Sequence, residues 1–170
     1  MEIRTATGSD AEAVERIRVR GWQTAYRHVF PPDELDQLQA DWSRWQRRFE
    51  TPPAGWAIFV AETDEGVVGF VAVGPSRDRT PGGELYAIYV DPDSWSTGVG
   101  RALIARAEER LAEEYDEATL WVLDENPRAR RFYEAAGWAP DGASKREERL
   151  GVAALEVRYY KRLSKSASRS

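Results

Sequence analysis

The hydrophobic pattern of the chain changes period between residues 85 and 111, and this change constrains the fold more than any other feature. Leu85 to Asp91 is a short run rich in Tyr, Ile and Val, as expected for a strand. After a glycine-containing turn, apolar residues fall four apart and form one face of a predicted helix: Val99, Leu103, Ala107 and Leu111. The segment therefore predicts a strand, a tight turn and an amphipathic helix in direct succession.

Before this unit, the pattern predicts a strand, helices and two more strands. Ser9 and Glu12 have the spacing of a capping box, which predicts the start of the first helix. Short helices are expected from about Asp33 and about Asp41, the second with three aromatic residues on one side: Trp42, Trp45 and Phe49. The extended runs are Glu2 to Ala6, Trp56 to Glu62 and Val67 to Gly74, the last two forming an antiparallel hairpin.

After this unit, Ala118 to Leu123 predicts a strand parallel to the one at Leu85, because the helix between them makes a right-handed crossover. A second helix is expected from Pro127 to Ala136. A short strand from Trp138 to about Gly142 and an alternating strand near Leu155 to Tyr160 complete the pattern. We therefore expect a mixed, mostly antiparallel α/β sheet with one parallel crossover, in a single domain over 1–163 with a flexible tail, 164–170.

Composition excludes several classes of function. The 170 residues carry 24 basic and 29 acidic side chains, and the net charge of -5 disfavours nucleic acid or an anionic membrane as a partner. The absence of Cys excludes a thiolate zinc site and a Cys nucleophile, and a single His argues against a histidine-built metal site. No signal segment and no long apolar stretch is found. We expect a cytoplasmic protein without a metal.

The turn between the first strand of this unit and its helix is a candidate anion site. At the start of a helix the backbone amides lack internal partners and lie at the positive end of the helix dipole. Gly98 and Gly100 allow a phosphate to approach the backbone, and Arg101 can add charge. A P-loop needs Lys-Ser/Thr after its glycine, and this turn has neither residue there. A dinucleotide-binding fingerprint needs a small residue at the position of Leu103. Both nucleotide-binding motifs are therefore excluded. A tight turn that binds nothing is the remaining alternative.

Two segments resemble the signatures of one enzyme family. Residues 85–103, LYAIYVDPDSWSTGVGRAL, resemble the pyrophosphate-binding segment of the GNAT superfamily of acyl-CoA-dependent N-acyltransferases. Residues 120–138, LWVLDENPRARRFYEAAGW, resemble its other signature and follow in the expected order. The resemblance covers about Glu2 to Leu163 and implies the family's fold. It also implies transfer of an acetyl group from acetyl-CoA to the amine of a small-molecule acceptor, by direct attack in a ternary complex.

The resemblance also assigns roles to individual residues. Backbone groups of the strand would bind the pantetheine arm, at Ile88, Tyr89 and Val90. The diphosphate would lie against Ser96, Thr97, Gly98, Val99, Gly100 and Arg101, and Asn126 would bind the cofactor nearby. Tyr133 would donate a proton to the leaving thiolate, and Glu84 would act as the base, directly or through a water. Trp95 and Ser96 replace residues usual in the family, which implies fewer charge contacts with phosphate. Trp121 stands where enzymes acting on ribosomal-protein N-termini have their base, which puts that substrate class in doubt.

Each of these residues also has a purely structural interpretation. Glu84 is alternatively a surface carboxylate at a strand end, Asn126 a helix cap and Tyr133 a core aromatic. Trp22 and Tyr26 either wall the acceptor pocket or pack in the core, with Tyr26 the better candidate for the pocket. His28 is expected in a solvated loop, and so are Arg77, Asp78 and Arg79.

Two other functions stay open at this stage. One is a module that senses acyl-CoA without turnover, and the other is an acetyltransferase acting on a protein or antibiotic amine. A homodimer formed by pairing of the alternating last strand is also open.

Overall fold

The computed structural model describes residues 1–78 and 81–165, so Arg79 and residues 166–170 of the predicted tail lie outside the described residues. The strands are β1 (Glu2–Thr5), β2 (Ala57–Thr63), β3 (Gly66–Pro75), β4 (Gly83–Val90), β5 (Glu117–Leu123), β6 (Ala139–Arg149) and β7 (Val152–Arg162). The helices are α1 (Ala11–Ala25), α2 (Pro32–Asp36), α3 (Ser43–Glu50), α4 (Val99–Ala112) and α5 (Pro127–Ala135). Within the described ranges, no helix is both long and apolar enough to cross a membrane.

The seven strands form one sheet in the order β1-β2-β3-β4-β5-β7-β6. The β4–β5 pair is parallel and all the other neighbouring strands are antiparallel. This confirms the predicted mixed sheet with a parallel strand-helix-strand crossover. The sheet edges are β1 and β6, whereas β7 is paired on both sides. The last strand therefore has no free edge, and the predicted route to a dimer through that strand is wrong.

The parallel pair separates almost as soon as it forms. β4 and β5 pair at Gly83 with Ala118 and at Glu84 with Thr119, but β4 continues to Val90 and β5 to Leu123 with no further pairing. A bulge on the other side of β4 adds to the irregularity, because β4 has one residue more than β3 at Tyr86. A crevice therefore opens between the two strands on the side toward their C-terminal ends.

Apolar side chains cover both faces of the sheet. On one face, α4 contributes the residues predicted to be buried, which are Val99, Leu103, Ala107 and Leu111. On the other face, Ile17 of α1 and Trp45 of α3 pack against Phe70. A third cluster lies where the end of α1 and α2 meet the ends of β5 and β7, and it contains Tyr26, Phe30, Leu35, Leu123 and Ala154. The crevice lies beside this third cluster, which includes the end of β5.

Three local predictions are wrong. The first helical region begins with a capping box between Thr7 and Asp10, whose carboxylate accepts from the Thr7 amide at 2.8 Å, and not between Ser9 and Glu12. Trp42 is 43% exposed, because it precedes the first turn of α3 and lies off its buried side. β6 extends to Arg149 instead of ending near Gly142. Its outer residues are polar and charged, so no apolar alternation indicates the strand.

Candidate active site

A run of free backbone amides lies at the start of α4. No amide from Ser96 to Arg101 donates to a backbone acceptor in the described chain, and the first bonded one is Ala102, which donates to the Gly98 carbonyl at 3.1 Å. Any helix leaves its first few amides unpaired. Here the run of free amides begins at Ser96, two residues before Gly98, which is the N-cap of α4. It does so because Ser96 and Gly98 take positive φ values of 62° and 92°.

The space in front of this turn is open. A Cβ added at Gly98 would meet no atom within 4 Å. Consecutive amides at a helix start, with a residue in the left-handed conformation among them, form a concave site for an anion. The residues present therefore fit a diphosphate of the kind that coenzyme A carries.

Positive charge reaches this region from a residue that the sequence analysis missed. The guanidinium of Arg128, in the first turn of α5, lies 3.6 Å from the ring centroid of Trp95, directly before the free amides. Burial lowers the pKa of Arg128. The Trp95 indole also donates to the Val90 carbonyl at 2.9 Å, so one lone pair of that predicted pantetheine-binding group is occupied. Arg128 lies within the second signature segment, 120–138, and this position was the signal that could have identified it.

Tyr133 lies on α5 with its ring packed between Phe132 and Tyr159, at centroid distances of 5.5 and 6.2 Å. The residue is 7% exposed. Its hydroxyl makes no hydrogen bond with a described residue, and its oxygen is not fully covered. Burial, with a smaller contribution from the Tyr89 phenol, raises the pKa of Tyr133 well above its usual range. The structure therefore holds a protonated phenol with no hydrogen-bond partner from the described chain.

Asn126 has the structural role considered above and also contacts the aromatic cluster. Its side-chain oxygen caps α5 by accepting from the Ala129 amide at 3.1 Å, and its amide nitrogen donates to the Tyr26 hydroxyl at 3.3 Å. The residue is 9% exposed. The cap therefore couples the start of α5 to the end of α1.

Three phenols come within electrostatic range of one another, from three different elements. Burial raises the pKa of Tyr26 and of Tyr89. The Tyr89 and Tyr133 phenols add to the raised pKa of Tyr26, and the Tyr89 phenol adds to that of Tyr133. The Trp22 indole donates to the Tyr89 hydroxyl at 2.8 Å and its ring packs edge-on against Tyr26 at 4.9 Å. The family resemblance implies only a backbone role for Tyr89, whereas in the structure its side chain joins this aromatic cluster.

Glu84 is neither exposed nor unpaired. It is 1% exposed, and both carboxylate oxygens accept from Arg77: the backbone amide at 2.9 Å, Nε at 3.1 Å and Nη2 at 2.6 Å. The neighbouring Asp78 accepts from the Trp121 indole at 2.7 Å, and its side chain is 22% exposed. The expectation of a solvated loop is therefore wrong for Asp78.

His28, which was expected in a solvated loop, contacts the carbonyl of Glu125 through its side chain.

Ile88 to Val90 lie on β4 beyond its last pairing with β5, so this part of the strand borders the crevice. Residues 16–138 match the model of the acetyltransferase (GNAT) family. The chain belongs to the GNAT acetyltransferase family. The expected family and its acyl-CoA-dependent N-acetyltransferase class are confirmed by this match and by the relatives that follow.

Relatives named as N-acetyltransferases match most of the chain. An uncharacterized N-acetyltransferase of Archaeoglobus fulgidus is 38% identical over 138 residues, which are 78% of this chain and 89% of the relative. The uncharacterized N-acetyltransferase YuaI of Bacillus subtilis is 29% identical over 160 residues, which are 92% of this chain and 88% of the relative. The solved structure of YncA from Salmonella typhimurium, with its cofactor acetyl-CoA, has a TM-score of 0.75 at 19% identity. The superposition covers 100% of this chain and 98% of YncA, so the two proteins share a fold.

Proposed function

We propose that this GNAT protein transfers an acetyl group from acetyl-CoA to the amine of a small molecule, by direct attack in a ternary complex. The observation that carries the proposal is the run of free amides at 96–101 beside a crevice between β4 and β5. The diphosphate would lie against these amides, with Arg128 adding charge and the pantetheine arm following Ile88 to Val90. Asn126 would contact the cofactor where the strands separate.

The reaction needs a neutral amine and a proton for the departing sulfur. The amine nitrogen forms a bond to the thioester carbon, the C–S bond breaks, and the proton lost by nitrogen passes to a base. Tyr133 donates its phenolic proton to the thiolate. An ordinary phenol has a pKa near 10 and an ordinary thiol one near 8.5, so burial of the phenol alone would make this transfer less favourable. The thiolate would leave beside this buried phenol, where desolvation also raises its proton affinity.

In this proposal Glu84 acts as the base through water. A carboxylate offers about four lone-pair sites, and Arg77 occupies three of them. The ion pair weighs against direct transfer from the amine, but it leaves one site on Oε1 for a water. Since Glu84 lies opposite Thr119 at the last pairing of β4 with β5, the carboxylate is at the closed end of the crevice.

A pair of variants separates a base from an anchor of the loop. Glu84→Gln and Arg77→Gln each break the ion pair and keep a polar side chain, which has the length of Glu in the first variant and is shorter than Arg in the second. If Glu84 is the base, kcat is expected to fall about 10²-fold further in Glu84→Gln than in Arg77→Gln, which is within the usual contribution of general acid–base catalysis. The measurement is the steady-state rate at several pH values. Equal losses in the two variants would assign Glu84 to holding the loop.

The ternary complex is tested by initial-rate kinetics. Release of free thiol from acetyl-CoA is followed with a panel of amines, and one concentration is varied at fixed values of the other. Because the chain has no Cys to carry an acyl group, double-reciprocal plots are expected to intersect. Parallel lines with an isolable acetyl-enzyme would contradict direct attack. Acetyl-CoA binding without acetylation of any amine would support a sensing module instead.

A further inference from the structure

The chain buries a carboxylate that the proposed mechanism does not use. Glu156 of β7 is 7% exposed and accepts no hydrogen bond from a described residue. Its nearest cationic atoms are Arg149 Nη2 at 3.6 Å and Lys145 Nζ at 3.8 Å, both beyond hydrogen-bond distance. Neither carboxylate oxygen is fully covered by the described chain, so each is accessible to a donor from outside it. The oxygens of Glu156 therefore have capacity for a donor that the chain itself does not provide.

This carboxylate lies on the side of the sheet that carries the aromatic cluster. Glu156 stands directly opposite Leu123 in the antiparallel β5–β7 pair, so the two side chains share a face. Leu123 packs in the same cluster as Tyr26 and Phe30. The negative charge of Glu156 also contributes to the raised pKa of Tyr89, which places the carboxylate within electrostatic range of the crevice.

A guanidinium with unused donors lies beside the same cluster. Arg149, the last residue of β6, lies 6.0 Å from the ring centroid of Trp22. It reaches Glu147 at 3.3 Å and Glu156 at 3.6 Å through the same atom, Nη2. Its Nε and Nη1 make no hydrogen bond within the part of the chain that the structure describes. These N–H groups can therefore bind a carboxylate in the two-point manner typical of Arg.

The hairpin that carries Arg149 is held against the aromatic cluster at some conformational cost. Leu150 and Gly151 form the two-residue turn between β6 and β7, with φ values of 48° and 78°. A positive φ is unfavourable for Leu, and this turn type favours Asn or Gly. Leu150 nevertheless packs on the cluster that contains Tyr26 and Phe30. This contact fixes the tip of the hairpin, and with it Arg149, beside the proposed acceptor pocket.

We infer that Glu156 and Arg149 bind the two ends of a zwitterionic acceptor, a small molecule of the α-amino acid type with a carboxylate next to the amine that is acetylated. The inference rests on the proposed function and names its acceptor class. Glu156 receives the ammonium group and then the neutral amine, and Arg149 receives the carboxylate. Glu84 pairs with β5 at Thr119, four residues before Leu123 and so about 13 Å along the strand, and a chain of waters carries the proton from the amine to Glu84. The local cluster of Lys145, Arg149, Glu147 and Glu156 is neutral in sum, which suits a zwitterion better than a polycationic antibiotic.

The test compares matched acceptors with the full chain and acetyl-CoA. Each trio contains a free L-amino acid, its amide and the amine left by decarboxylation, for example L-leucine, L-leucinamide and isoamylamine, across the protein amino acids. We expect kcat/KM for at least one free amino acid to exceed that of its decarboxylated amine by about tenfold or more, as for loss of a charge-assisted contact. Arg149→Gln is expected to remove most of this preference, because it should lower kcat/KM for the free amino acid and leave kcat/KM for the decarboxylated amine unchanged.

Glu156→Gln tests the ammonium end. We expect it to raise the acceptor KM by about tenfold or more while the acetyl-CoA KM stays unchanged, and Glu156→Asp to recover part of the loss. Glu147→Gln is the matched control, because Glu147 pairs with the same two cations but its side chain is 42% exposed. A Glu156→Gln variant that behaves like Glu147→Gln overturns the inference.

The outcome also separates this inference from the proposed function. If amines without a carboxylate are acetylated as well as every amino acid, or better, the acceptor class is wrong and the acetyltransferase stands. If coenzyme A does not bind and no amine is acetylated, the proposed function fails and this inference fails with it.

Discussion

Replacing Tyr133 by Phe is expected to lower kcat for acetyl transfer by about 10²- to 10⁴-fold, the usual contribution of a general acid. The variant keeps the ring that packs against Phe132 and Tyr159 and removes only the hydroxyl. That hydroxyl has no hydrogen-bond partner in the described chain, so its loss leaves no buried group unpaired. The acetyl-CoA dissociation constant is therefore expected to stay within about threefold.

The pH dependence follows from the direction of the pKa shift. Because burial raises the pKa of Tyr133 above its usual value near 10, the phenol keeps its proton throughout the range from about pH 6 to 10. The wild-type kcat/KM is expected to rise with pH as the amine loses its proton, with no decline below pH 10 caused by Tyr133. Tyr133→Phe should show the same shape at a lower level.

Single-turnover kinetics of acetyl-CoA consumption measure this prediction, with Tyr159→Phe as the control. Tyr159 is another buried phenol in contact with Tyr133, but its hydroxyl bonds Arg130 at 3.0 Å and Glu134 at 2.8 Å. Its loss is expected to lower stability and to spare the chemical step. A Tyr133→Phe variant within about threefold of wild type would show that another group, or water, protonates the thiolate.

Replacing Gly98 by Val is expected to weaken acetyl-CoA binding by about 10²-fold or more. The new side chain would enter the open space before the amides at 96–101, where the diphosphate is proposed to lie. Loss of several charge-assisted hydrogen bonds, each contributing about 1.5–3 kcal/mol, accounts for this magnitude. Isothermal titration calorimetry with acetyl-CoA measures it directly.

The chain offers a matched control for this substitution. Gly98 has a φ of 92°, so Val also strains the backbone there by about 1–2 kcal/mol. Gly66, the first residue of β3 after the β2–β3 turn, has a φ of 104° and equally open surroundings. Gly66→Val should lose similar stability and keep its affinity for acetyl-CoA. Equal affinities in the two variants would contradict binding at the turn before α4.

The regular elements that support the site could be predicted from local pattern. The strand at Leu85, the turn at Gly98 and the apolar face of α4 are set by residues within a few positions of one another, and the structure has them where the sequence places them. β6 could not be found in this way. It is an edge strand, and most of its residues are polar and exposed to water. It therefore lacks the alternation of apolar and polar residues that predicts a strand.

The contacts around the crevice depend on residues that are far apart in the sequence. Arg77 and Glu84 looked like separate surface charges, and their ion pair follows from the path of the β3–β4 loop. Glu156 looked like an outward residue of an alternating strand. It is buried because β6 continues beside β7 and its hairpin tip folds onto the aromatic cluster. Only the tertiary arrangement brings Arg149 to Trp22.

The proposed activity depends on binding of the coenzyme A diphosphate by the amides before α4. The most direct measurement is a titration of the ¹⁵N-labelled chain with coenzyme A, followed by amide chemical shifts. We expect the largest changes at Ser96 to Arg101, together with β4 at Ile88 to Val90. Unmoved signals from Ser96 to Arg101 at saturating coenzyme A, with the largest changes elsewhere or none at all, would contradict it.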